Sequence, residues 1–265
     1  MMRQTQWNLK DCTMLRFFDM ISDILISTDV PHVDKVYSYR KNALLDAIPS
    51  RNQSEFNEKG YRSDSFLHCG DVRVLSIGCS DVFGYSLDKQ DRFSDVFCNK
   101  LSAQGHQVTN WNLGLPGKSN DYIARTIAST KTILKPDIVL VSFTRILRRE
   151  WFSDSGKCVD HIYKHKSEAS ESLNALSNYN QNILNFYLNY KLVESVLSDV
   201  EFMFTLSLNT NGEPVGLPDI LRIVDANKYV GYFDLLDRAD EHHPGRLSNL
   251  QLADNFFQKS NKAKQ

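Results

Sequence analysis

Apolar residues change their period repeatedly along this chain, and each change marks an element. Residues 72–78, "VRVLSIG", form a short β-branched run closed by glycine, the pattern of a strand buried on both faces. A 3.6-residue period follows from Asp88 to Leu101, with Phe93, Val96, Phe97 and Leu101 on one face. "HQVTNWNLG" reads as a second strand, and "SNDYIARTIASTKTILK" as a helix with Ile123, Ile127 and Leu134 inward. "PDIVLVSFT", 136–144, is the clearest strand, with Pro136 where a strand can begin. Spacings of three and four through Leu176, Tyr179, Ile183, Phe186, Tyr190, Val193 and Leu197 predict a long helix from about Glu168 to Leu197. "VEFMFTLSL", 200–208, and the weaker "KYVGYFDL", 228–235, supply a fourth and a fifth strand. A last helix starts near Arg246 and carries Leu250, Ala253, Phe256 and Phe257.

Strands alternating with helices of this length predict an α/β fold, a mostly parallel five-stranded sheet covered on both faces. Residues 1–70 do not follow the repeat. An amphipathic helix from about Asp11 to Ser27 (Met14, Phe18, Ile21, Leu25) and a polar stretch after it read as an N-terminal extension packed on a body of residues 71–265.

Composition narrows the function classes. The chain has 265 residues, 42% of them apolar, enough for a substantial core. Its 31 basic and 32 acidic residues leave a formal charge of -1, so no electrostatic case for a nucleic-acid partner arises. Five cysteines (Cys12, Cys69, Cys79, Cys98, Cys158), odd in number and without a CxxC pair, argue against a disulfide framework or a structural zinc. The start "MMRQTQWNLKDCTML" lacks the layout of a signal peptide, and no apolar run is long enough for a membrane span. The expected location is the cytoplasm by default; a virus- or phage-associated protein would look the same. There is no GxGxxG and no GxxxxGK[ST], and no cofactor or metal is expected.

Ligands of an open parallel sheet bind beyond the C-terminal ends of its strands. Ser80 lies just past the first strand, between Gly78 and Gly84, which would let the backbone turn sharply. Taken by itself it is a turn or helix N-cap serine as readily as a nucleophile. A serine attacks only when a base takes its proton. Asp240 and His243, three apart in the loop before the last helix, have the spacing for a carboxylate to hold one imidazole nitrogen while the other faces a serine; two surface histidines in an acidic loop would read the same. "NLGLPGKSND" follows the second strand, and its Gly117 can present a backbone N–H beside that of Ser80 to an oxyanion. Ser119 is suited to cap the helix that follows.

These blocks resemble the SGNH (GDSL-like) hydrolases. "IGCSDVFG" is similar to the family's first block, with Gly78-Cys79-Ser80 for its G-D-S, "NLGLPGKS" to the second, and "DEHHPG" to the terminal D-x-x-H-P block. "NEKGYRSDSF", just before the first strand, also resembles a lead-in found in some branches. The resemblance spans about residues 57 to 258. It implies a flavodoxin-like three-layer α/β/α fold and the triad Ser80, Asp240 and His243, with oxyanion donors from Ser80 and Gly117.

The third block departs from the family: no G-x-N-D follows the third strand, which ends "VSFTRILRREW". That ending resembles a variant branch with a T-x-x-x-R pattern, here Thr144 and Arg148, leaving Thr144 or Asn120 as the further oxyanion donor. Cys79 stands where the family has Asp, as a loop support. Asp81 reads as a turn cap, and Pro-Gly after His243 favours it over His242 as the base.

In "RILRREWF", Arg148 and Trp151 are candidate substrate-binding residues, on a groove wall for an acidic or sugar substrate or on a solvated helix end. His161 and His165, at i and i+4, have helical metal-ligand spacing but no nearby third ligand. The implied function is a serine esterase that removes a small acyl group, acetyl for example, from a small-molecule or glycan ester through an acyl-enzyme. An acyltransferase with the same triad and a catalytically silent glycan-binding module on the same fold are the alternatives.

Overall fold

The computed structural model describes residues 44–67, 69–152, 158–161, 177–207 and 214–260. The helix expected at Asp11–Ser27 and the first part of the one expected from Glu168 lie outside them. The described elements run β1 (Val72–Ile77), α1 (Ser80–Phe83), α2 (Phe93–Ala103), β2 (Val108–Asn112), α3 (Asn120–Leu134), β3 (Ile138–Phe143), β4 (Arg149–Phe152), β5 (Cys158–His161), α4 (Tyr179–Val196), β6 (Glu201–Leu206), α5 (Leu217–Ile223) and α6 (Arg246–Lys259). No helix among the described residues is long and apolar enough to cross a membrane.

β2, β1, β3 and β6 form one sheet in that order, all parallel. Every residue of β3 and all but Arg73 of β1 are buried, which is why these strands read as continuous apolar runs. Alternate residues go to opposite faces. Leu75, Ile77, Val139, Val141 and Phe143 meet Ile123 and Ile127 of α3 and Phe186, Tyr190 and Val193 of α4. Val74, Ile138 and Leu140 meet Phe93 and Phe97 of α2 and Phe256 of α6. The three-layer α/β/α arrangement is therefore present.

Among the described residues the sheet has four laddered strands, and the expected fifth pairs at a single bridge. The segment at 228–235 contributes a single parallel bridge, Phe204 to Tyr229, with Val230 N–H donating to the Phe204 carbonyl at 2.9 Å. Gly231 then takes φ +96°, and its carbonyl accepts from the Thr205 hydroxyl at 2.6 Å, so the chain turns away before a ladder can form. Conversely, 149–152, expected as groove wall or helix end, is strand β4, paired antiparallel with β5. His161 thus falls on a strand, not on a helix, and His165 lies outside the described residues. On α6, Leu250 is exposed and Leu252 takes the core position expected of it. Tyr179 is also exposed, so the apolar stripe of α4 begins only at the half-buried Ile183.

Residues 44–67 reach the body at several points, and two of these anchors lie at the turn after β1. Ala47 and Ile48 pack on Phe83. Arg62, fully buried, donates to the carbonyls of Phe83, Gly84 and Leu87 at 3.3, 2.8 and 2.8 Å and pairs with Glu55 at 2.6 Å. Both anchors hold the turn that follows β1.

Candidate active site

In strand order β2-β1-β3, the chain leaves β1 to one side through α2 and returns past it to the other through α3. The strand order reverses between β1 and β3, and a crevice opens at such a point above the strand ends. Ser80 follows β1 and Thr144 follows β3, so both stand at this reversal.

Gly78 makes the close approach there. A Cβ on it would lie 2.4 Å from Val82 Cγ2 and 2.8 Å from the Ser142 carbonyl of β3. Cys79 is the N-cap of α1 without a side-chain capping bond, and Ser80 is the first helical residue. The Ser80 hydroxyl therefore does not cap. It is buried, and its one partner among the described residues is the Cys79 sulfur at 3.9 Å; no hydrogen bond joins it to His243. Gly84, at φ +75°, closes α1, its N–H donating to the Ser80 carbonyl at 3.0 Å.

Asp81 does not cap the turn as expected. Its carboxylate accepts from Ser207, just past β6, at 2.7 Å and from Cys79 at 3.6 Å. Cys79 is also 3.4 Å from the Ser207 hydroxyl. The residue after Ser80 and the one before it are thus tied to the far strand.

Asp240 and His243 meet in a tight loop closed by Ala239 N–H on the His243 carbonyl at 3.0 Å. One Asp240 oxygen accepts the backbone N–H of His242 and His243 at 2.7 and 3.0 Å, an Asx-type turn that folds the side chain back over its own loop. This local bond is why a separation of three brings carboxylate and ring together. His243 Nδ1 lies 2.9 and 2.8 Å from the two carboxylate oxygens. With Nδ1–H donating to Asp240, Nε2 is left as an acceptor. The His242 ring has no such contact, and that residue is exposed.

Burial by itself would raise the Asp240 pKa. The Ser86 hydroxyl, the His242 N–H and the His243 side chain outweigh it and hold the group at about 2. Asp237 is likewise held low: its burial is outweighed by the N–H groups of Leu247 and Ser248 and the Ser248 hydroxyl. Its bonds to those groups, each 2.9 Å, cap α6 from ten residues upstream and fix the loop where it enters the helix.

On the other side of Ser80, Gly117 has φ +79°, and Ser119 caps α3 by accepting the Tyr122 N–H. The backbone N–H groups of Ser80 and Gly117 have no partner among the described residues. Asn120 and Thr144 bind one another reciprocally: Asn120 Nδ2 donates to the Thr144 carbonyl at 3.0 Å and its Oδ1 accepts the Thr144 N–H at 2.8 Å. Arg148 donates to the Thr144 hydroxyl at 2.9 Å. That bond gives the T-x-x-x-R spacing a physical meaning, since a turn with Arg148 N–H on the Arg145 carbonyl carries Arg148 back to Thr144. Trp151 is 43% exposed on β4, its ring under the Arg149 guanidinium. β4 is held to α3 by Arg149–Asp121 and Glu150–Arg125 pairs. No cluster of three or more His, Cys, Asp or Glu side chains among the described residues is arranged to hold a metal ion.

Sequence reasoning missed Tyr85 and Ser86. The Tyr85 ring stacks on His243, centroids 4.6 Å apart and planes 20° from parallel, and the Ser86 hydroxyl donates to Asp240 at 2.6 Å. A tyrosine and a serine in a loop carry no local signal of partners more than 150 residues away.

No family model matches the chain, and no curated protein is significantly similar to it. Solved structures similar to it include the psychrotrophic esterase EstA from a Pseudoalteromonas species, captured inhibited by monoethylphosphonate. EstA is 14% identical, with a TM-score of 0.44, covering 71% of this chain and 96% of its own. TesA is 14% identical at a TM-score of 0.47, over 72% of this chain and 99% of that one. A member of the lipolytic protein G-D-S-L family from Veillonella parvula is 14% identical at 0.43, over 71% and 97%.

Proposed function

We propose that this chain is a serine ester hydrolase of the SGNH type. The observation that carries the reading is the Asp240–His243 pair, both carboxylate oxygens within 2.9 Å of Nδ1, in a loop tied to the turn that bears Ser80. In this reading Ser80 Oγ attacks the acyl carbonyl as His243 Nε2 takes its proton. Asp240 keeps the ring in the required tautomer and balances its positive charge. The unused N–H groups of Ser80 and Gly117 receive the oxyanion. Thr144 and Asn120 each keep one proton to give as a third donor: the Thr144 hydroxyl accepts from Arg148, and Asn120 Nδ2 commits one of its two N–H groups to the Thr144 carbonyl. His243 then protonates the leaving alcohol, and water attacks the acyl-enzyme by the same route in reverse.

Arg148 in this reading orients Thr144 and does not contact substrate. Exposed Trp151, on the strand that begins five residues after Thr144, offers a ring face on which a sugar can stack, and a small acyl group such as acetyl on a glycan is the substrate class proposed.

The test is turnover of p-nitrophenyl acetate by the wild type and Ser80→Ala, with fluorophosphonate labelling in parallel. Wild-type turnover that Ser80→Ala lowers by about a thousandfold or more supports the hydrolase. Equal background rates with no label on Ser80 would reject it in favour of a silent module. Acyl transfer to an added sugar that outpaces hydrolysis would make the chain a transferase.

A further inference from the structure

The loop after α1 carries a backbone irregularity that the proposed chemistry does not by itself require. Ser86 sits at φ +61°, a region side-chain-bearing residues occupy at a cost. Glycine would adopt it freely; what glycine lacks is the hydroxyl. That hydroxyl donates to Asp240 at 2.6 Å across 154 residues of chain, while the Ser86 N–H is pinned to the Ala47 carbonyl at 2.9 Å. Next to it Tyr85 lies flat on the His243 ring. Behind both, Arg62 grips the carbonyls of Phe83, Gly84 and Leu87. Gly84 leaves the space that the Arg92 side chain fills, since a Cβ there would be 2.4 Å from Arg92 Cδ. The loop is thus clamped from one side and presents two side chains on the other, each to one member of the Asp240–His243 pair.

We propose that Tyr85 and Ser86 are positioning residues, which latch the Asp240–His243 loop to the turn bearing Ser80 and set the orientation of the imidazole. The proposal rests on the hydrolase reading for its effect on rate, but the latch itself is a property of the loop. Two neighbours act in complementary ways. Ser86 fixes where the carboxylate points, and Tyr85 restricts tilt of the ring about its bond to Asp240. Both act through the Asp240–His243 pair, Ser86 on the carboxylate and Tyr85 on the imidazole ring.

Ser86→Gly separates a latch from a merely structural role, because it removes the hydroxyl and also relieves the backbone. Its thermal midpoint is expected to equal or exceed that of the wild type, while kcat on p-nitrophenyl acetate falls about tenfold at unchanged KM. Ser86→Ala should lose as much kcat and have a lower midpoint than Ser86→Gly. Tyr85→Phe, which keeps the ring, should exceed Tyr85→Leu in kcat by severalfold. A readout independent of turnover is the carboxyl carbon resonance of Asp240, whose neighbours are Ser86, the His242 N–H and His243. Its titration midpoint should move upward in Ser86→Gly. If Ser86→Gly keeps wild-type kcat and the resonance titrates unchanged, or if its loss of activity only follows a loss of stability, the latch is wrong. Absence of Ser80-dependent turnover together with a shifted Asp240 titration would instead overturn the hydrolase reading and leave the latch standing.

Discussion

The Asp240 carboxylate accepts from four donors: His243 Nδ1, two backbone N–H groups of its own loop, and the Ser86 hydroxyl. Three are local and one, from Ser86, is not, and this division sets what each substitution should do. Because its folded-state pKa is held at about 2, below the ordinary 3.8, Asp240 adds stability that is present above the unfolded value and lost as pH falls through about 2. Asp240→Asn should therefore cost on the order of 2 kcal/mol at neutral pH, a gap that closes between about pH 4 and pH 2. Denaturant midpoints of both proteins across that range check it; a gap independent of pH would show that the charge is not what stabilises. The local part was legible in the sequence, since D-x-x-H spacing follows from an Asx-type turn. The Ser86 part was not, because that bond exists only once β1 and the last loop share a sheet edge.

At the scale of elements, helices and central strands followed the apolar period, and the departures have physical causes. A strand was expected at 228–235 on its composition, but Gly231 at φ +96° lets the chain turn after one bridge. The four-residue strands β4 and β5 mix charged and apolar residues and have no period to read; Arg149 and Glu150 hold β4 by pairing with α3. The turn after β1 depends on Arg62, which replaces solvent for three carbonyls and one carboxylate. Arg62→Met would leave the mostly buried Glu55 charge without its cation and take the guanidinium from the Phe83 and Leu87 carbonyls, while Gly84 keeps the Leu87 N–H. A loss of about 3–5 kcal/mol is expected. Urea unfolding measures it, and a loss below about 1 kcal/mol would mean that water reaches the site and substitutes for the guanidinium.

Over the whole molecule, stability is spread over two cores, one on each face of the sheet, and the candidate site lies at its strand-end edge. A cavity opened far from that edge should lower stability without touching chemistry. Phe97 of α2 is fully buried against the sheet with Phe257 edge-on to its ring. Phe97→Ala should cost about 3–5 kcal/mol, a large share of a typical domain's stability, with kcat per folded molecule unchanged. Calorimetry and active-site titration together test this; an equal fall in kcat would mean that the α2 face is coupled to the site.

The sequence by itself determined the order of the central strands and their covering helices, the doubly covered parallel sheet and the residue types at each strand end, because buried strands must be apolar throughout. It also held the local geometry of Asp240 and His243, since three residues suffice to fold that side chain back. Ser119 caps its own helix three residues on, which the sequence already showed, whereas tertiary structure alone decided that Ser86 holds a carboxylate, that Ser207 binds Asp81 and that Ser80 makes no cap. These last three are serines in loops or at a helix end, and what distant chain brings within reach of each oxygen separates them.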